Sequence, residues 1–83
     1  MARNSGGNGP FIGAYRFFFY SNEKDEPRHI HVQQQNMLAK FWLHPVALAS
    51  SSGFSAQDLT KLSELVATHQ TTFTEAWNDF FGA

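Results

Sequence analysis

His29-Ile30-His31 is the segment of this 83-residue chain whose residue types and spacing suit chemistry most directly. Two histidines two residues apart on an extended strand project to one side, about 6.5–7 Å apart by backbone rise. With a third donor such as Glu23, Asp25, His44 or His69, that spacing fits a zinc ion. It fits equally a pair of acid–base or phosphate-binding groups that titrate near neutral pH. It also fits two hydrogen-bonded surface histidines without a chemical role. The chain has no Cys and one two-histidine cluster, so neither a stoichiometric metal nor a cofactor is expected. Ser50-Ser51-Ser52 has no His–Asp arrangement that would activate a nucleophile, and Glu23-Lys24-Asp25-Glu26 is most simply a solvated loop.

The elements that must position the histidines follow from local patterning. Tyr15-Arg16-Phe17-Phe18-Phe19-Tyr20 is a run of aromatics broken only by Arg16, and rings favour the pleated, half-buried surface of a strand. Pro27 holds Glu26 extended, and Arg28 to Gln33 then alternates, with Ile30 and Val32 on one side and the histidines on the other. After a turn at Gln34-Gln35-Asn36, a third strand runs from Met37 to Leu43, with Ala39, Phe41 and Leu43 opposing Leu38, Lys40 and Trp42. Short connections favour antiparallel pairing, which predicts a three-stranded meander. Pro45 is expected to end the sheet, Val46 to Ala49 to form one helical turn, and Ser50 to Gly53 a loop.

Ser55-Ala56-Gln57-Asp58 has the spacing of a helix capping box. Leu59, Leu62, Val66, His69, Phe73, Trp77 and Phe80 then form one helical stripe, with Gly82 where a left-handed terminus would sit. A single helix over 56–81 would be about 39 Å long at 1.5 Å per residue, longer than a domain of this size is wide. Thr68 to Thr72 is its poorest helix-forming stretch, so two helices divided there are favoured over one. The fold class is therefore α+β, three antiparallel strands followed by one long or two shorter C-terminal helices. Residues 1–10 read as a flexible, Gly-rich tail and 11–83 as the single domain.

Splitting each strand into its two faces assigns Tyr15, Phe17, Phe19, Ile30, Val32, Ala39, Phe41 and Leu43 to the core. The opposite face collects Arg16, Phe18, Tyr20, His29, His31, Lys40 and Trp42. Cations interleaved with aromatics match what single-stranded RNA requires, since bases stack on rings and Arg, Lys and protonated His meet phosphate. The competing reading is a face that docks another protein or a second copy of the chain. On the RNA reading His29 or His31 serves as general acid or base, and Arg16, Phe18, Tyr20, Lys40 and Trp42 bind.

Composition sets the bounds. Hydrophobic residues make up 42 % and include nine Phe, two Tyr and two Trp, enough for one small core. The net charge of −1 is not that of a nucleic-acid coat. Charge is uneven along the chain: Arg16, Lys24, Arg28 and Lys40 face Glu23, Asp25 and Glu26 in the sheet half, whereas Asp58, Glu64, Glu75 and Asp79 oppose Lys61 alone in the helical half. No apolar run approaches the roughly 20 residues of a membrane helix, and a cytoplasmic protein with no membrane partner is expected.

The motifs Tyr15-Arg16-Phe17-Phe18-Phe19-Tyr20-Ser21-Asn22-Glu23, His29-Ile30-His31-Val32 and Ala39-Lys40-Phe41-Trp42-Leu43 together resemble a small bacterial and archaeal family of uncharacterised domains. The resemblance continues through Pro45-Val46, Gly53-Phe54-Ser55, Ala76-Trp77-Asn78 and Phe81-Gly82. Members are often encoded beside another small protein in pairs regarded as candidate toxin–antitoxin modules. The resemblance implies that the chain is one component of such a pair, more plausibly the toxin, with the adjacent gene's product as partner. It carries over no catalytic residue. Two positions depart from the family pattern: the Gly-rich start, and His44 where an acidic residue is usual.

Overall fold

The computed structural model describes residues 8–82. Five strands and two helices follow in order: β1 (Asn8–Ile12), β2 (Tyr15–Phe18), β3 (His29–Gln34), β4 (Met37–Leu43), β5 (Val46–Ser52), α1 (Ala56–Thr68) and α2 (Gln70–Phe81). All neighbours pair antiparallel, and the spatial order is the chain order, a five-stranded meander backed by the helices. The α+β class and the three central strands are those expected from patterning, and two further strands extend the sheet at its edges.

The added strands correct two expectations. Val46 to Ser52 forms neither a helical turn nor a loop but β5, paired along β4 from Leu43↔Val46 to Leu38↔Ser52. Pro45 stands with His44 in a two-residue turn between the strands, where it removes no ladder hydrogen bond. The long partner strand outweighs the weak helical preference of Val46 to Ala49. A register shift between Lys40 and Phe41 accommodates the extra residue on β5. At the other edge β1 begins at Asn8, inside the segment expected to be a tail, whereas residues 1–7 lie outside the described residues.

The core follows the alternation. Phe17, Ile30, Val32, Phe41 and Leu43 are fully buried on the helix side of the sheet, with Phe19 and Ala39 nearly so. Leu62 and Val66 of α1, with Phe73 and Trp77 of α2, close the other side. The Phe17 and Phe73 rings stack at 4.9 Å, a direct bond between the two layers.

The apolar stripe does break. α1 is capped by Ser55, whose hydroxyl accepts the Asp58 N–H at 3.1 Å, and ends at Thr68. His69 sits at φ −104°, ψ 17°, outside helical geometry, between the two helices. One unbroken helix of about 39 Å would overrun the molecule, whose longest dimension is 34 Å. The Gln70 side chain donates to the Leu43 carbonyl and so pins the start of α2 to the end of β4. Gly82 closes α2 in the left-handed conformation (φ 73°), its N–H bonded to the Asn78 carbonyl.

Candidate functional site

Register decides which side chains meet. Phe18 pairs with His31 and His31 with Lys40, while His29 pairs with Trp42, so these residues share the sheet face turned away from Ile30 and Phe41. All seven residues expected on that face form one connected patch. The Arg16 guanidinium lies 4.3 Å above the Phe18 ring, and Phe18 stacks on His31 at 5.4 Å. Tyr20 meets His31 edge-on at 4.6 Å, and His31 meets His29 at 5.1 Å. His29 in turn touches Trp42 at 5.7 Å, and the Lys40 ammonium sits 4.7 Å above the Trp42 ring.

The face is not the open surface that alternation suggests. The connection after β2, with a 3-10 turn at Ser21–Glu23, reaches back to it. Glu23 Oε1 lies 2.8 Å from His29 Nε2 and 2.7 Å from His31 Nε2. Lys40 donates to Glu26 at 2.6 Å. Phe18 is buried and His29 has no exposed surface, because Trp77 of α2 also packs on its ring at 4.9 Å. His29 thus touches the helical layer although it belongs to the opposite face. Arg28, whose Nε donates to Asn78 at 2.8 Å, ties the same strand end to α2.

Glu23, Glu26 and the serines are the participants that sequence reasoning undervalued. The acidic run read as a solvated loop; its usable signal was a glutamate six residues before a histidine, across a proline-bent connection short enough to fold back. Ser50 to Ser52, read as a loop, belong to β5 and line a groove of about 280 Å³ together with Tyr20, His31, Leu38 and Lys40. His44 and His69, weighed as ligands, lie elsewhere: His44 contacts Thr74 at 2.9 Å and His69 packs against Phe73.

The electrostatics of the cluster are asymmetric. Burial favours the protonated Glu23 carboxyl, but hydrogen bonds from both histidines and their positive charge outweigh it, holding the group below the usual carboxylate range. Burial pushes the His31 imidazole below the ordinary histidine value; nearby His29 and Lys40 push the same way, and Glu23 only partly opposes them. The Glu23 carboxylate accepts the Nε2–H of His31 at 2.7 Å. For His29, Nδ1 is 2.7 Å from the Pro27 carbonyl, which can only accept, so Nδ1 carries a hydrogen.

A small antiparallel sheet backed by two helices, with a Glu–His–His cluster and a Ser-lined groove on its other face, defines the class of protein. Residues 14–78 match the DUF4160 model, a domain of unknown function, and the chain belongs to that family. Neither the curated proteins nor the solved structures include a match to it. Among the described residues, no helix is long and apolar enough to cross a membrane.

Proposed function

We propose that this chain is the RNA-acting component of a toxin–antitoxin-like pair, working in the cytoplasm, and that single-stranded RNA enters the groove between Tyr20, Lys40 and Ser50 to Ser52. The observation that carries this reading is the groove's make-up. An exposed tyrosine ring, a lysine, a histidine and three serines converge, beside Leu38 and Ala39, on a space of about 280 Å³. A base stacks on Tyr20, and Lys40 with the serine hydroxyls meets the phosphate. His29 is enclosed and both its ring nitrogens are engaged, so any acid–base role at the groove falls to His31. The pairing with a second small protein rests on the family resemblance.

A second reading, docking of that partner protein on the same face, draws support from the Lys40–Glu26 ion pair, which neutralises a cation the phosphate would need. Exposed Leu38 and Tyr20 beside the groove suit a protein contact as well. Binding of a fluorescein-labelled RNA about ten nucleotides long, at low salt, separates the two. RNA action requires Tyr20→Ala and Lys40→Ala each to weaken binding roughly 5- to 100-fold, the range of one lost stacking or phosphate contact. RNA affinity that is absent, or indifferent to both substitutions, excludes the RNA reading. Loss of affinity for the adjacent gene's product in Trp42→Ala would then establish the docking one.

A further inference from the structure

We propose that Glu23 Oε1, His29 Nε2 and His31 Nε2 form a binding site for one divalent transition-metal ion of the zinc type, with a coordination position left open to water. The three donor atoms lie within 4.8 Å of one another. Two imidazoles and one carboxylate form a donor set suited to zinc and its first-row neighbours, whereas magnesium and calcium demand oxygen. The three residues come from a strand and the turn that folds onto it, so the fold itself selects Glu23 from the four third donors that spacing left open.

The hydrogen-bond pattern around His29 orients its ring for ligation. Its Nδ1–H is committed to the Pro27 carbonyl at 2.7 Å, the outer contact that fixes Nε2 as the ligating nitrogen in metal-bound histidines. Nε2 in turn faces the Glu23 carboxylate oxygen at 2.8 Å. A divalent ion satisfies all three atoms at once. Zinc ligands at 2.0–2.1 Å in tetrahedral geometry stand about 3.3 Å apart, so the two Glu23 contacts need open by only about half an ångström, while the two Nε2 atoms, within 4.8 Å of each other, keep or close their spacing. Glu23 and His31 retain 17 % and 13 % exposure, which leaves a path for the metal and for its water. His31 also lines the groove, so the ion sits at the groove's edge.

This inference stands apart from the RNA reading. Tag-free protein is stripped with chelator, dialysed and titrated with zinc chloride by calorimetry, and with cobalt(II) by visible absorption. We expect one zinc per chain, a tetrahedral cobalt spectrum, and at least about 100-fold weaker binding in both Glu23→Gln and His31→Ala. Those two variants are used because His29→Ala removes a fully buried ring. His44→Ala, outside the cluster, should bind as the parent does. A stoichiometry well below one, or affinity that survives both cluster substitutions or falls with His44→Ala, overturns the site. The RNA measurement is run in chelator, so either proposal can fail while the other stands.

Discussion

His29 and His31 differ by two residues in sequence and by almost everything else in environment. His29 is enclosed by Trp42, Trp77, His31 and the Pro27 carbonyl, whereas His31 stays partly open beside Phe18 and Tyr20. In metal-free protein, replacing His29 with Ala leaves a cavity and an unpaired Pro27 carbonyl, at a cost of about 2–4 kcal/mol. His31→Ala should cost about 1 kcal/mol, since solvent can enter the space. Urea unfolding in chelator measures both, and equal losses would mean that the two rings are equally exposed in solution. The pair's shared direction was legible from alternation alone. The difference between them was not, because it comes from Trp77, nearly fifty residues away, and from a turn whose charged composition suggested solvent. Glu23 was legible only as one donor among four; the backward fold of its loop singled it out.

At the scale of elements, periodicity proved most informative where both faces of a segment had partners to declare. β3 and β4 announce themselves by apolar and polar alternation, and the helical stripe by its spacing, with Thr68 to Thr72 marking the break. β5 carries no such signal: Ala47, Ala49 and three serines neither alternate nor favour strands, and only pairing with β4 makes the segment extended. Its exit turn is held by Gly53 at φ +94°, where an added Cβ would stand 2.8 Å from Met37 Cγ. The side chain of Met37 can yield, but the positive φ cannot be relieved. Gly53→Ala should therefore lower stability by about 1–2 kcal/mol, with β5 losing amide protection before β3 does. Unchanged urea midpoints, or uniform protection loss across the sheet, would show that the turn does not govern the strand. The serines on the groove depend on this turn, so groove binding should weaken alongside.

Across the whole molecule the two halves have different chemistry, and one residue joins them at the site. The acidic helices cover the apolar side of the sheet, while the cluster lies on the other side. Trp77 belongs to the core, with its indole edge-on to Phe19 at 5.6 Å, yet it also meets His29 at 4.9 Å. α2 therefore fixes the position of a side chain that neither it nor its own face of the sheet supplies. Trp77→Ala removes a large core ring and one wall of the His29 pocket together, at a cost of about 3–5 kcal/mol. A domain of this length is stabilised by roughly 4–12 kcal/mol in all, so much of the margin disappears. At about 4–8 °C per kcal/mol for a small domain, the melting temperature should fall by at least about 12 °C. Trp77→Phe keeps a ring against both Phe19 and His29 and should lose less than half as much. A drop below about 4 °C in Trp77→Ala would show that α2 is a detachable cover, and that the strand and the Glu23 turn hold the histidines by themselves. The bond from Arg28 Nε to Asn78 makes that outcome unexpected, because it clamps the same strand end to the next residue of the same helix.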